Sequence, residues 1–253
     1  MVAAASRVRA ETLLDLADLG EGAGLIDRAL ALAEIAGEDP ERLRGEPLGR
    51  LHAALLEFHE AFSGPQLDSV ATCPHCGAVV EFTLDTGALR ELGAERSERP
   101  VRGSFTFVPD AAGTGPVEVR WRAPSAGDVQ ESAGRADAAA ALRARCADVI
   151  GPGGTQVHAL PDALIDRLEE ELSGADPLAE LLVSLDCPEC GAAFDADLDP
   201  AGFVWAEVEA RARRLLVEVD ALARAYGWTE TEVLALSEAR RAAYLAIVWE
   251  GAG

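Results

Sequence analysis

The sequence predicts an α+β fold, and three observations support this prediction. Apolar residues recur every three or four positions through residues 1–65 and again through residues 201–253, which is the period of amphipathic helices. Two shorter runs between these regions alternate apolar and polar residues, as half-buried strands do. Each of these runs follows a copy of one cysteine-containing turn. We therefore expect helices at both ends of the chain and β structure at its centre.

The cysteine-containing turns are the strongest chemical signal in the chain. The segments Cys73-Pro-His-Cys76-Gly and Cys187-Pro-Glu-Cys190-Gly hold four of the five cysteines, and 110 residues separate Cys76 from Cys187. A Cys-x-x-Cys turn directs two thiolates at one point, and two such turns supply the four sulfurs of a tetrahedral zinc site. Four protein ligands leave no coordination position open. The sequence therefore predicts a structural Zn²⁺ held by Cys73, Cys76, Cys187 and Cys190.

The residues after the two turns are also repeated. Val80, Phe82 and Leu84 stand at the same offsets from Cys76 as Phe194, Ala196 and Leu198 do from Cys190. This repeat predicts two related β-units that form a zinc-ribbon-like centre. We expect one integrated domain with the following regions: N-terminal helices (1–65), first zinc-knuckle unit (66–100), inserted hairpin and helices (101–180), second zinc-knuckle unit (181–200) and C-terminal helices (201–253).

The N-terminal region is expected to contain three main helices. Apolar residues at helical spacing define them: Leu13, Leu16 and Leu19; Leu25, Ala29, Leu32 and Ala36; Leu48, Leu51, Leu55, Phe58 and Phe62. Pro47 suits the first turn of the third helix, because its missing N–H is not needed there. The segment Ser63-Gly64-Pro65 is expected to end that helix.

The insertion between the two cysteine turns is expected to be a hairpin followed by helices. Alternating residues on both sides of the turn-rich stretch 109–116 define the hairpin: Phe105, Phe107, Val117, Val119 and Trp121. Ser125 and Asp128 have the spacing of a capping box, which begins a helix. An Ala-rich helix is predicted from about Arg135 to Val149, and the Gly-Pro-Gly-Gly segment after it breaks that helix. An acidic helix is predicted over 162–172.

The C-terminal region again has helical periodicity. A long helix is defined by Val208, Ala212, Leu215, Val219, Leu222 and Tyr226. Thr229 and Glu232 form a second capping box, which begins a short helix. Ser237 begins the last helix, whose apolar side is predicted to contain Ala243, Tyr244, Ile247 and Val248.

The net charge of −22 limits the classes of partner. Residues 162–199 contain twelve acidic residues and one basic residue, so this segment holds −11 of that charge. Such a field repels phosphate backbones and anionic lipids, so neither nucleic acid nor a membrane surface is expected as a partner. A small basic patch consists of Arg211, Arg213 and Arg214. It is expected to be solvated or paired with Glu207 and Glu218.

The pattern of apolar residues predicts a cytoplasmic protein. The first ten residues contain no apolar core of a signal peptide, and no run of about 18 uncharged apolar residues follows. In a reducing compartment, paired Cys-x-x-Cys segments indicate metal binding rather than disulfides.

Two separate redox pairs are the alternative interpretation of the cysteines. The segment Cys73-Pro-His-Cys76 also occurs in thiol oxidases of the thioredoxin class, where the first cysteine caps a helix that lowers its pKa. Here the residues after Gly77 alternate like a strand, and a second pair repeats the arrangement. Metal binding is therefore the favoured interpretation.

The other candidate residues favour packing over chemistry. His52 and His59, which share a face of one helix, are expected to be packed or solvated, and His75 is expected to be exposed. Cys146 is expected to be a small buried apolar residue. The stretch 151–155 resembles a phosphate loop only superficially, because no Gly-Lys-Ser/Thr follows. With no Ser/His/Asp set and no dinucleotide fingerprint, the sequence predicts no catalytic residues, no enzyme activity and no small-molecule substrate.

Several stretches together resemble one family. Besides the two cysteine turns they are Leu48–Leu51, Leu55-Leu56, Val119–Val129 with its Arg122-Ala-Pro-Ser-Ala-Gly-Asp128 segment, Asp176–Leu178, Phe203–Glu207, Ala223–Glu230 and Leu234–Leu245. In these stretches the chain resembles the baseplate hub assembly chaperone and related baseplate-associated proteins of contractile-tailed phages and of bacterial phage-tail-like injection systems.

The resemblance implies a non-catalytic function, in which the protein holds or places a component while a baseplate is assembled. The implied partners are baseplate hub, spike or tube proteins, and the four tryptophans (Trp121, Trp205, Trp228 and Trp249) are either contact residues or core. The alternative is a zinc-ribbon adaptor or regulatory protein that acts through protein contacts, with or without association with nucleic acid. The acidic segment 162–199 counts against direct nucleic-acid contact.

Overall fold

The structure, a computed structural model, describes residues 8–96, 100–109, 115–158 and 160–250. It is a mixed helix and sheet protein, as predicted. The described helices are α1 (Ala10–Gly20), α2 (Leu25–Ile35), α3 (Pro40–Gly45), α4 (Leu48–Ser63), α5 (Thr86–Arg96), α6 (Ala126–Ser132), α7 (Ala138–Cys146), α8 (Asp162–Ala175), α9 (Pro200–Tyr226), α10 (Glu230–Leu234) and α11 (Glu238–Glu250). The described strands are β1 (Gln66–Thr72), β2 (Val79–Asp85), β3 (Arg102–Phe107), β4 (Val117–Arg122), β5 (Ala147–Ile150), β6 (Leu181–Asp186) and β7 (Ala193–Leu198).

The described strands form three small antiparallel sheets. The β1–β2 hairpin and the β6–β7 hairpin each enclose one cysteine turn, and β3, β4 and β5 form the third sheet in that order. Leu67 pairs with Leu84 at the base of the first hairpin, and Leu181 pairs with Leu198 at the base of the second. The strands predicted on both sides of 109–116 pair as expected, although residues 110–114 of that turn lie outside the described residues.

The main core lies between α1, α2, α4 and α9. Trp205 of α9 lies at its centre and is 3% exposed. A Cβ on Gly20 of α1 would stand 2.0 Å from the Trp205 ring, so α1 can approach α9 this closely only with glycine at that position. The indole N–H of Trp205 donates to Glu209 at 2.7 Å, which satisfies the buried polar atom. Trp205 is therefore core, as is Trp121, whereas Trp249 is exposed.

The two hairpins pack on this helical layer through their bases. Leu56 of α4 contacts an apolar cluster whose other buried members are Leu67, Leu178, Leu181 and Leu198. Successive residues of a strand point to opposite faces, so the leucines at the base of each hairpin share its inner face. The cysteine turns lie at the opposite ends of the hairpins.

The insertion has its own apolar core, which lies under α8. One of its predicted helices is shorter than expected. The Ala-rich helix was expected to reach Val149, but α7 ends at Cys146 and the next residues form β5, which pairs with β4. Val149 is 3% exposed and packs with Val119 and Leu164. A β-branched residue beside an unpaired strand edge gains more from sheet pairing and burial than from another helical turn.

The apolar side of α11 differs from the prediction in part, since Tyr244 and Val248 pack inwards as expected. Ala243 and Ile247 are exposed, whereas Arg241 and Leu245 face inwards. Arg241 can be buried because its guanidinium donates to Glu218 at 3.0 Å and to the carbonyl of Leu236 at 2.9 Å. A charge that is fully paired is tolerated inside a protein, and apolar periodicity alone does not reveal such a pair.

Candidate metal centre

The two cysteine turns have the same backbone geometry. The amide of Cys73 donates to the carbonyl of Ala78 at 2.8 Å, and the amide of Gly77 donates back to Cys73 at 2.9 Å. The second turn repeats both bonds, at 3.0 Å from Cys187 to Ala192 and at 2.8 Å from Gly191 to Cys187. Gly77 and Gly191 have φ of 77° and 71°, a left-handed conformation that glycine adopts without strain.

The turns bring four sulfur atoms together across the two hairpins. The Sγ atoms of Cys73 and Cys190 are 3.8 Å apart, and those of Cys76 and Cys187 are 3.6 Å apart. All four sulfurs lie within 4.8 Å of one another. Four thiolates at about 2.3 Å from one ion in tetrahedral geometry would be about 3.8 Å apart. The four cysteines therefore could hold a metal ion, and their spacing fits a tetrahedral thiolate site.

The site is buried on one side and exposed on the other. Cys73 and Cys187, the first cysteines of the turns, are 1% and 2% exposed, whereas Cys76 and Cys190 are exposed. The buried pair packs with Val80, Phe194 and Ala196 in one apolar cluster contributed by both hairpins. An ion at this point would lie at the end of the hairpin interface, next to its apolar packing.

Backbone amides lower the pKa of Cys187, whereas the neighbouring sulfur atoms raise the pKa of Cys76. The amide of Cys190 donates to the sulfur of Cys187 and lowers the pKa of Cys187 to about 7. The amide of Ala78 also lowers the pKa of Cys76, but the sulfurs around it, first that of Cys190, raise the pKa of Cys76 to about 12 overall. Four thiols this close do not all lose their protons without a compensating cation, and a bound divalent ion supplies that charge.

The other residues considered as ligands do not join the cluster. His75 is exposed, as expected, and the metal-ligand cluster consists of the four cysteines. Cys146 is buried, as expected, and burial raises its pKa to about 11. Within the described residues no other group of three or more histidine, cysteine or acidic side chains has metal-ligand spacing.

Both helical histidines of α4 are packed, and each forms a bond that joins separate parts of the chain. His52 Nδ1 lies 2.6 Å from the carbonyl of Leu178, just before β6. His59 Nδ1 lies 2.8 Å from Glu207 on α9, and its Nε2 lies 3.2 Å from the carbonyl of Gln66 at the start of β1. These bonds attach the base of each hairpin to α4.

One further anchor was not predicted from the sequence. Asp176, 8% exposed, accepts a hydrogen bond from the amide of Gly49 at 2.8 Å, in the first turn of α4. A carboxylate there satisfies a free amide and meets the positive end of the helix dipole. The two residues are 127 positions apart, so no local capping pattern could have revealed the contact.

The basic patch is arranged differently from the expectation. Arg213 pairs with Glu209 at 3.1 Å, and Arg211 donates to Ser63 at 3.1 Å. Glu207 and Glu218 instead bind His59 and Arg241.

Searches against family models, curated proteins and solved structures found no match to this chain. Among the described helices, none combines the length and the apolar character that crossing a bilayer requires.

Proposed function

We propose that Cys73, Cys76, Cys187 and Cys190 hold one structural Zn²⁺, and that the protein is a non-enzymatic assembly chaperone or structural component of the baseplate hub of a contractile phage-tail-like particle. The observation that carries the first part is the convergence of four sulfurs from turns 111 residues apart. Tetrahedral sulfur sites suit zinc, and four protein ligands leave no position for a substrate. The ion would thus supply stability rather than catalysis.

The second part rests on the sequence motifs, and the structure supplies a physical role for two of them. In the segment Arg122–Asp128, Arg122 donates to Asp128 at 2.9 Å, and Asp128 and Ser125 form the capping box of α6. The carbonyl of Pro124 accepts the amide of Leu48 at 2.9 Å. This motif therefore joins the inserted sheet to α6 and to the start of α4.

The C-terminal motif, which consists of Ala223–Glu230 and Leu234–Leu245, also maintains the fold. Gly227 ends α9 with φ of 72°, and the stacked rings of Tyr226 and Trp228 lie with centroids 4.8 Å apart beside Tyr244. These residues form the corner between α9 and the last two helices. Both motifs hold elements of the fold together. The resemblance therefore supports a shared fold more directly than it supports binding to one particular partner protein.

A protein partner suits the electrostatics of the second hairpin better than nucleic acid does. Asp186, Asp195 and Asp197 are exposed on the outer face of β6 and β7. The second hairpin, which carries two of the four metal ligands, therefore presents a negative surface, whereas zinc ribbons that bind nucleic acid need a positive one.

Metal analysis tests the zinc proposal. Protein purified under reducing conditions is expected to contain one Zn²⁺ per chain by elemental mass spectrometry, and Co²⁺ substitution is expected to give the absorption of tetrahedral cobalt thiolate. Cys146→Ala, which removes a cysteine outside the cluster, should retain the metal, and Cys187→Ser should lose it. A metal-free parent protein with all four thiols reduced would contradict the proposal.

Affinity purification tests the assembly role. The tagged protein is expressed in cells that carry its gene, and the proteins that co-purify are identified by mass spectrometry. Recovery of hub, spike or tube proteins is expected. Recovery of polymerase subunits or RNA instead would favour the adaptor function and contradict the assembly role.

A further inference from the structure

A cleft beside the main core has a charge unlike that of the rest of the protein. It has a volume of about 850 Å³ and lies between the start of α1, the end of α4, α9 and the α10–α11 corner. Four of its lining residues are arginines: Arg9, Arg211, Arg214 and Arg241. We call it the arginine cleft. Three glutamates (Glu11, Glu218 and Glu238) also line it, so the lining has a formal charge of +1, a local exception in a chain of net charge −22.

The arginines differ in how much of their hydrogen-bonding capacity is used inside the protein. Arg241 is paired with Glu218, so it contributes little free charge. Arg211 is held in place, because its guanidinium lies 3.8 Å from the centre of the Phe62 ring and donates to Ser63. Arg9 and Arg214 make no side-chain hydrogen bond or ion pair with any other residue that the structure describes. One cation is therefore preorganised and two are available.

The remaining lining combines apolar side chains with two helix starts. Leu13, Leu234 and Leu236, each partly exposed, supply apolar surface. The first turns of α1 and α11 also border the cleft, and the acids Glu11 and Glu238 in these turns interact favourably with the helix dipoles. The volume lies within the usual range for ligand sites, and the lining of apolar surface with a few cations is typical of them.

We propose that the arginine cleft binds an acidic, leucine-bearing segment of a protein partner. Carboxylates of the segment would pair with Arg9, Arg211 and Arg214, and its apolar side chains would contact Leu13 and Leu234. Arginine is suited to this role, because its planar guanidinium binds a carboxylate through two parallel hydrogen bonds. The inference goes beyond the proposed function and does not depend on the metal, since the cleft shares no residue with the cysteine site.

The test measures binding of a synthetic peptide to the full-length protein. The probe is a short amphipathic peptide made only of Glu and Leu and labelled with fluorescein, and its affinity is measured by fluorescence anisotropy at low ionic strength. We expect saturable binding that weakens as salt is added, because exposed charges are screened. The double variant Arg211→Gln/Arg214→Glu is expected to bind about tenfold or more weakly.

Matched variants and peptides separate this site from general charge effects. Arg213→Glu changes a cation on the same helix that does not line the cleft, and it should bind the peptide like the parent protein. If the double variant does not fold, Arg214→Glu alone serves, because Arg214 has no described side-chain partner to lose. A parent protein that does not bind the peptide would overturn the inference, and so would equal weakening by Arg213→Glu. Equal affinity for peptides in which Gln replaces Glu, or Ser replaces Leu, would overturn it as well.

Discussion

The β1–β2 hairpin and the β6–β7 hairpin have the same layout, but they support very different parts of the protein. Each consists of a strand, a cysteine turn and a second strand, and each is followed by an aspartate that caps a helix. Asp85 accepts the amide of Ala88 at 3.0 Å, and Asp199 accepts the amide of Ala201 at 3.0 Å. The repeat thus extends past the metal ligands to the start of the next helix.

The helices that follow are not equivalent. After the first hairpin, α5 has 11 residues and borders α4 at the surface, where Arg90 pairs with Glu57 and Glu60. After the second hairpin, α9 has 27 residues and runs through the main core with Val204, Trp205 and Val208 fully or almost fully buried. A repeated local sequence therefore sets the turn and the cap, but burial of the following helix decides how much stability depends on each unit.

Loss of the metal should have the largest effect on stability. The effect should be the same whichever hairpin loses its cysteines. If one ion is shared, Cys73→Ser/Cys76→Ser and Cys187→Ser/Cys190→Ser should lower the free energy of unfolding equally, by on the order of 5 kcal/mol. This is less than the roughly 10–16 kcal/mol of zinc binding in isolated peptides, because part of that energy offsets closure of a long loop. Urea denaturation measures the loss, with Cys146→Ala as the control. Clearly unequal losses would indicate two independent sites.

Truncation of matched leucines should lower stability by unequal amounts in the two hairpins. Leu198 is 5% exposed, whereas its counterpart Leu84 is only partly buried. Leu198→Ala should lower the free energy of unfolding by about 3 kcal/mol, because it leaves a cavity under α4, and Leu84→Ala should lower it by about half as much. The same urea experiment measures both. Equal losses would mean that the first hairpin is packed as tightly as the second.

The matched helix caps should show a smaller contrast. Asp199→Ala is expected to lower the free energy of global unfolding by about 1 kcal/mol, because α9 is part of the cooperative core. Asp85→Ala removes an equivalent bond, but it is expected to increase amide hydrogen exchange in α5 with little change in global stability. Hydrogen exchange measured by mass spectrometry distinguishes the two. If both variants changed hydrogen exchange equally in α5 and α9, the expected contrast would be wrong.

The smallest expected effect is the pH dependence of the bond between His59 of α4 and Glu207 of α9. Burial lowers the pKa of His59, but the hydrogen bond to Glu207 raises it above 6.5 on balance. Both ring nitrogens face oxygen acceptors, so the protonated ring satisfies both contacts. This contribution to stability is complete below about pH 6.5 and is lost as pH rises through the pKa of the folded state.

Thermal denaturation across this pH range measures the contribution. Glu207→Gln should remove the His59 part of the dependence, since it removes the carboxylate that raises the pKa of His59. Burial lowers the pKa of His52, which contributes with the opposite sign in both proteins, so the two proteins are compared at each pH. His158→Gln, at an exposed histidine of the insertion, serves as the control and should leave the curve unchanged. A stability difference between the parent and Glu207→Gln that does not shrink as pH rises would contradict the assignment.

Local chemistry determined what the sequence could predict by itself. The capping box of Thr229 and Glu232 and the hairpin that contains Trp121 form as expected, because each depends on residues close together in the chain. The two cysteine turns were predictable for the same reason. Their repetition also predicted that they would meet, since two sulfurs cannot complete a tetrahedral site.

Only the tertiary structure decided the contacts between distant segments. Asp176 binds the start of α4, Val149 joins a strand instead of extending a helix, and Arg241 rather than Ile247 faces the core. The helix α5 was not predicted either, because its apolar pattern is weak and its start depends on the cap from Asp85. For Asp176, Val149 and Arg241 the deciding energy comes from a partner that folding brings within reach, and the local sequence does not identify that partner.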